Sequence, residues 1–174
     1  IMKKSHVGII VDNILSSKQI HDYIEMSRNS NNYEVTHLIL QNIPKLKDNL
    51  FQKSIRLIKK QGVKKFLAKV AFKVLCKIEL MLVKKFYNFN KVFDMYDLSK
   101  FGLQIIKVEP NISKSGFVYR YKAEDIAIIK SLGLNLLVRG GNGILRGEIL
   151  TVCKNGVISF HHADNDVYRG GPPG

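Results

Sequence analysis

H-V-G-I-I-V-D, residues His6–Asp12, is an apolar run that ends in a polar residue, which is the pattern of a buried parallel strand. Ser16-Ser17-Lys18-Gln19 then predicts a capping box, in which the Ser16 hydroxyl accepts from a backbone N–H and Gln19 reaches back. Apolar residues at helical spacing follow, and Tyr33–Leu40 predicts a second strand. This opening therefore predicts a strand–helix–strand unit, the start of a doubly wound sheet.

The same alternation resumes in the last third of the chain. Strands are predicted at Leu103–Val108, Leu134–Val138 and Val157–Phe160, and a helix is predicted at Ala123–Ser131. The predicted fold class is therefore α/β and Rossmann-like, with a mostly parallel sheet and flanking helices. Asp12 and Asn13 follow the first strand, and we expect them to bind substrate at the carboxyl edge of the sheet.

The net charge of +14 is concentrated in one segment, residues 45–93. This segment holds 14 Lys or Arg and two acids, Asp48 and Glu79, so the rest of the chain is close to balanced. The basicity is consequently a property of this segment and not of the α/β pattern. We interpret residues 45–93 as a long, Lys-rich, amphipathic helical insertion within a single domain.

An apolar stripe and a lysine row run along the predicted helix of this insertion. Apolar residues recur every three or four positions from Val63 to Leu82, and lysines repeat every four from Lys65 to Lys77. Three roles are open: a helix docked on the domain with a solvated lysine face, peripheral membrane contact through residues 63–85, or contact with RNA phosphates. No motif indicates nucleic acid.

The remaining composition is typical of a cytoplasmic protein. No apolar stretch is long enough for a transmembrane segment or has the form of a signal peptide. Cys76 and Cys153 lie far apart and predict reduced thiols. We predict no metal site: His161 and His162 are adjacent on a strand and their side chains diverge, which disfavours zinc.

Two stretches carry the motifs with chemical content. Arg139-Gly140-Gly141-Asn142-Gly143-Ile144-Leu145 follows a predicted strand, and its glycines permit close backbone approach to a ligand. It is not a dinucleotide fingerprint, because the next glycine, Gly147, comes one residue late. Residues 156–172 form a polar strand end that leads to Tyr168-Arg169-Gly170-Gly171-Pro172, and Ser159 and His161 share one face of it.

These two stretches resemble the folate-dependent formyltransferase family. The family motif N-[IL]-H-P-S-L-L-P-x-[YF]-R-G is similar, without a gap, to S-F-H-H-A-D-N-D-V-Y-R-G at residues 159–170. The family's upstream strand, glycine turn and short helix are similar to residues 135–150 at the expected distance. The resemblance covers residues 123–174, and the opening strand–helix–strand unit fits at the level of the fold. It implies one formyltransferase N-terminal-type domain, 1–174, incomplete at its C-terminus.

The resemblance implies transfer of a formyl group from 10-formyltetrahydrofolate to an amine, such as an amino-sugar or an aminoacyl group. The catalytic pair by position is His161, in the place of the family's histidine, and Ser159, in the place of its asparagine. The cofactor-binding residues implied are Gly140, Gly141, Asn142, Gly143, Ile144 and Leu145. The substrate-binding residues implied or expected are Asp12, Asn13, Tyr168, Arg169 and Gly170.

Three departures from the family pattern bear on activity. Ser159 offers a shorter donor than asparagine, and residues 162–166 make an apolar loop polar and acidic. The family's catalytic aspartate lies a few tens of residues downstream of the histidine, so we expect the 174-residue chain to be nearly inactive. The alternatives are a non-catalytic formyltransferase-like homologue, or a membrane- or RNA-binding module that acts through the basic helix.

Overall fold

The computed structural model describes residues 4–43, 50–86 and 94–159. Contacts divide the chain into two compact units, Ile1–Ile43 with Met95–Gly174, and Pro44–Asp94. The first unit contains the sheets, and the second contains the helix α2, Leu50–Phe86. Because the site lies in the first unit, that unit is described first.

The first unit is built on a five-stranded, fully parallel sheet in the order β10-β8-β1-β3-β5. This confirms the α/β, Rossmann-like fold predicted from the sequence. In chain order the five strands are β1 (Ser5–Val11), β3 (Tyr33–Gln41), β5 (Gln104–Val108), β8 (Leu136–Arg139) and β10 (Val157–Ser159).

The central strand β1 is buried on both faces. Ile9 packs in one hydrophobic cluster with Leu38 and Val138, whereas the next residue, Ile10, packs in a second cluster with Leu137. Successive side chains of a strand point to opposite faces, so an apolar run such as Val7–Val11 supplies both clusters at once. The unbroken hydrophobicity of this run is therefore the sequence signature of its central place in the sheet.

One helix covers each face of the sheet. Helix α1, Lys18–Arg28, buries Ile20 and Ile24 in the cluster that contains Ile9. Helix α3, Ala123–Ser131, buries Ile126 and Ile129 in the cluster that contains Ile10. The sheet is thus doubly wound, with α1 and α3 on opposite sides.

The predicted capping box at the start of α1 was wrong. Ser17, not Ser16, is the N-cap residue, and its side chain makes no capping hydrogen bond. Ser16 instead belongs to β2, Leu15–Ser17, which pairs antiparallel with β4, Met95–Asp97. Ser16 faces Tyr96 across this ladder, a pairing with a distant segment that local spacing does not reveal.

The segments between the main strands form a second, small sheet. Its order is β6-β7-β9, and the strands are Asn111–Ile112, Val118–Arg120 and Ile144–Leu145. Two 3-10 helices, Leu98–Phe101 and Glu148–Thr151, complete the unit. The small sheet was not predicted, and it holds the end of the glycine turn because β9 pairs with β7.

Helix α2 of the second unit is interrupted at Gly62. The backbone there has φ 79° and ψ 159°, which is not helical, so residues 63–86 form a helical segment of their own. Glycine adopts such angles without strain, so the helix divides at this residue. Among the described residues, no helix has the length and apolarity that a membrane span requires.

Leu137 tests the packing of the central sheet, because β8 lies between β1 and β10 and the Leu137 side chain is fully buried in the cluster that contains Ile10. Leu137→Ala is expected to lower the free energy of unfolding by about 3 kcal/mol, through lost transfer energy and a cavity. Ile128→Ala, at an exposed position of α3, is the control and should change it by less than about 0.5 kcal/mol. Urea unfolding followed by circular dichroism measures both, and equal effects would contradict the assigned core.

Candidate functional site

The carboxyl ends of β1 and β8 lie side by side at one edge of the sheet, and this place is called the crevice below. From β1 the chain proceeds outward through β3 and β5 on one side, then returns to build β8 and β10 on the other. The boundary between β1 and β8 is therefore the topological switch point of the sheet, where ligands of such folds bind. Four strands end there in polar residues, namely Asp12 directly after β1, Gln41 of β3, Arg139 of β8 and Ser159 of β10.

The Asp12 carboxylate is held by groups from two other segments. Its Oδ1 accepts a hydrogen bond of 2.8 Å from Gln41 Nε2, and its Oδ2 accepts one of 2.7 Å from the backbone N–H of Asn142. Gln41 is 1% exposed, and its Oε1 accepts a hydrogen bond of 2.9 Å from the Tyr121 hydroxyl. Buried polar groups are stable only when they are paired in this way.

Burial raises the pKa of the Tyr121 hydroxyl well above its ordinary value, and the nearby charge of Asp12 adds to this effect. Tyr121 therefore stays a neutral donor to Gln41 throughout the physiological pH range. With both oxygens of Asp12 already accepting hydrogen bonds, the carboxylate serves to position the glycine turn and the Gln41 amide. It is a structural anchor of the crevice.

The glycine turn packs closely on Asp12 at one of its positions and on Ile20 at another. A Cβ on Gly141 would lie 2.4 Å from Asp12 Oδ1, and one on Gly140 would lie 2.6 Å from Ile20 Cδ1. The N–H of Gly140 donates to the carbonyl of Ile10, which extends the ladder between β1 and β8. The turn is thus fastened to β1 by its backbone.

The rest of the turn is fixed by the small sheet. Gly143 has φ +82°, and a Cβ there would meet the Tyr119 ring at 2.7 Å. The N–H of Ile144 donates to the carbonyl of Phe117, while the Leu145 side chain is buried in the core. Asn142 and Ile144 expose their side chains, and their N–H groups are both used within the protein.

These contacts sharpen the six cofactor-binding predictions, Gly140 to Leu145. The structure brings Gly140, Gly141 and Asn142 to the crevice beside Asp12. Leu145 instead faces the core, so its side chain supports the turn from below. The backbone N–H groups of Gly140, Asn142 and Ile144 donate to acceptors within the protein. A ligand at the turn would therefore contact other atoms of the turn and not these three N–H groups.

Arg139 supplies the positive charge of the crevice. Burial lowers the pKa of its guanidinium, while the negative charge of Asp12 acts in the opposite direction. In the part of the chain that the structure describes, Arg139 Nε is the one buried side-chain nitrogen or oxygen without a hydrogen-bond partner. Buried donors are normally paired, so the described residues leave this N–H of Arg139 unsatisfied.

Ser159 and Asn13 differ in what surrounds them. Ser159 is exposed at the end of β10, and its Oγ accepts a hydrogen bond of 3.4 Å from Arg139 Nη1. Asn13 is exposed, and its Oδ1 accepts from the N–H of Leu15 in a local turn, away from the Asp12 network. The other predicted site residues, His161, Tyr168, Arg169 and Gly170, lie outside the described residues.

Three residues of the crevice were not among the predicted site residues: Gln41, Tyr121 and Arg139. Gln41 and Arg139 carried a signal, because each is the first polar residue after an apolar strand, as Asp12 is. Tyr121 carried none, since its burial depends on the fold around residues 109–122. Within residues 4–43, 50–86 and 94–159, no group of three or more His, Cys, Asp or Glu side chains is arranged to hold a metal ion.

Gly141→Ala tests the fit between the turn and Asp12. Gly141 does not have a positive φ, so alanine would suit its backbone, but its Cβ would collide with Asp12 Oδ1. We expect a loss of about 1–3 kcal/mol in unfolding free energy. Asn142→Ala keeps the backbone N–H that Asp12 accepts and should cost less than about 0.5 kcal/mol. Equal costs in denaturant titrations would contradict this geometry.

Tyr121 predicts a pH dependence of stability. Its folded pKa is raised above the ordinary 10.0, so its contribution is complete below pH 10 and is lost as pH rises above that value. The difference in unfolding free energy between the wild type and Tyr121→Phe should therefore narrow above pH 10. Urea titrations at pH 8 and pH 11 measure this difference. A constant difference would show that Tyr121 ionises as readily in the folded state as in the unfolded state.

Comparison with known proteins yields no relative for this crevice. No protein-family model, no curated protein and no solved structure matches the chain.

Proposed function

We propose that the protein binds 10-formyltetrahydrofolate at the crevice between β1 and β8 and transfers its formyl group to a substrate amine. The observation that carries the proposal is the juxtaposition, at the switch point, of the glycine turn anchored on Asp12 with the polar ends of β8 and β10. The family resemblance assigns the donor to this turn and the chemistry to the end of β10. The two assigned regions therefore lie at one edge of one sheet.

The chemistry requires a hydrogen-bond donor beside the formyl oxygen. Attack of the amine nitrogen on the formyl carbon forms a C–N bond and a tetrahedral oxyanion. Collapse of this intermediate breaks the bond to the tetrahydrofolate nitrogen, which takes up a proton while the amine loses one. By resemblance, His161 is assigned to the oxyanion and to proton transfer, with Ser159 beside it.

Arg139 compensates for the short reach of Ser159 in this proposal. Its guanidinium lies 3.4 Å from Ser159 Oγ through Nη1, and its buried Nε has no partner among the described residues. Hydrogen bonds from a charged donor are stronger than those from a neutral one. An Arg–Ser pair can therefore offer an oxyanion, or a ligand carboxylate, what an asparagine amide offers in the resembled family.

The acceptor is proposed to be a polar amine. The polar and acidic composition of residues 162–166, where the family has an apolar loop, favours an amino-sugar over an apolar aminoacyl group. Tyr168, Arg169 and Gly170 keep the family's sequence and are proposed to contact the acceptor. Asp12 is proposed to act by holding the turn, since its two oxygens accept from the Gln41 amide and from the Asn142 N–H.

Donor binding is the first test, with isothermal calorimetry of the chain and 10-formyltetrahydrofolate. Arg139→Ala is expected to weaken binding at least about tenfold, the cost of one charged hydrogen bond. Arg120→Ala removes the same charge from an exposed position of the small sheet and should leave binding unchanged. Absence of donor binding by the wild-type chain would overturn the proposed function.

Turnover separates an enzyme from a non-catalytic homologue, the second candidate, which Ser159 favours. Release of tetrahydrofolate is measured with amino-sugars and aminoacyl esters as acceptors. His161→Ala should abolish any turnover while donor binding persists, and Ser159→Asn should raise it. Turnover that Ser159→Asn raises and His161→Ala abolishes would exclude the non-catalytic class, whereas absence of turnover is already expected of these 174 residues.

A further inference from the structure

The helical segment from Val63 to Lys85 exposes a row of large apolar side chains. Their exposed fractions range from 42% for Val70 to 70% for Met81. The buried isoleucines of α1 and α3, in contrast, are at most 8% exposed. The row consists of Val63, Leu67, Val70, Val74, Leu75, Ile78, Met81 and Leu82.

These side chains share one side of the helix. At about 100° per residue, the eight of them fall within an arc of about 140°. The lysines at positions 65, 69, 73 and 77 occupy a separate arc of about 120°. Phe72 and Leu80 are exposed outside the apolar arc, so the division is strong but not complete. All four of these lysines are exposed.

The charge of the segment is strongly one-sided. Residues 63–85 hold seven lysines and one acid, Glu79. Lys64 and Lys85 fall on the apolar arc but near the two ends of the segment, where a long lysine side chain can carry its charge away from apolar surroundings. A positive surface that borders an apolar one matches the interface of an anionic lipid bilayer, with its charged headgroups above acyl chains.

We propose that residues 63–85 form an interfacial helix that lies on an anionic membrane surface, with the apolar arc inserted and the lysines on the headgroups. RNA is a poorer match, because phosphate contacts use the lysines and leave the eight apolar side chains in water. A spanning helix is excluded for this segment by its charges. At about 1.5 Å per residue the segment is about 35 Å long, which suits a helix lying in the membrane plane.

This inference is independent of the formyl-transfer proposal, because it rests only on residues 63–85. Loss of lipid binding would leave donor binding at the crevice intact, so each proposal can be refuted without refuting the other.

The role of the lysines is tested by sedimenting the full chain with vesicles. The vesicles consist of phosphatidylcholine, with or without 30% phosphatidylserine. Binding is expected only with phosphatidylserine. The variant Lys65→Gln, Lys69→Gln, Lys73→Gln, Lys77→Gln should lose affinity about 100-fold or more. The matched control replaces four exposed lysines of the α/β unit, Lys100, Lys107, Lys114 and Lys130, by glutamine and should bind as the wild type does.

The apolar arc is tested with a tryptophan reporter, since the chain contains no tryptophan. The fluorescence of Leu67→Trp should shift to the blue on anionic vesicles and be quenched by brominated lipid. Ile128→Trp, an exposed position of α3, is the control and should do neither.

Three results would overturn the proposal. Equal losses in the two quadruple-glutamine variants would mean that the net charge alone draws the protein to lipid. Binding without a blue shift at Leu67→Trp would mean that the apolar arc stays in water. Binding of a single-stranded RNA oligonucleotide at 150 mM salt, with no vesicle binding, would assign the lysines to nucleic acid.

Discussion

The rest of the crevice depends on the two hydrogen bonds that the Asp12 carboxylate accepts. Through one oxygen it fixes the Gln41 amide, and through the other the backbone of Asn142, so it joins β1 to β3 and to the turn after β8. Glycine at position 141 is required because the carboxylate occupies the space of a Cβ. One side chain thus sets the spacing between three segments that are distant in sequence.

The sheet was predictable because burial on both faces leaves a direct mark on a strand. Val7–Val11 has no polar residue, and the carboxyl ends of parallel strands necessarily meet at one edge. Asp12 and the glycine turn each follow a predicted strand, which is why the sequence predicts both at the carboxyl edge of the sheet. Helix α3, Ala123–Ser131, was predicted to the residue, because acidic residues in its first turn and Gly133 after it mark both ends.

The parts that sequence did not predict depend on long-range pairing. Ser16 has every local property of a helix cap, but the ladder to Met95–Asp97 takes it into a strand. Gln41 and Tyr121 are 80 positions apart, and neither residue by itself indicates that the Tyr121 hydroxyl donates a hydrogen bond to the Gln41 side chain. The unpaired nitrogen of Arg139 is likewise a property of its surroundings and not of the residue.

The pairing of β1 with β8 has a consequence for the order of folding. At the start of the two strands, His6 and Asn135 exchange hydrogen bonds across 129 positions of sequence. Contacts of such separation form late, because the intervening chain must first be ordered. During synthesis, β1 therefore cannot pair with β8 until about 130 further residues have been translated. Until then Ile9 and Ile10 lack the cover that β8 and its neighbours provide.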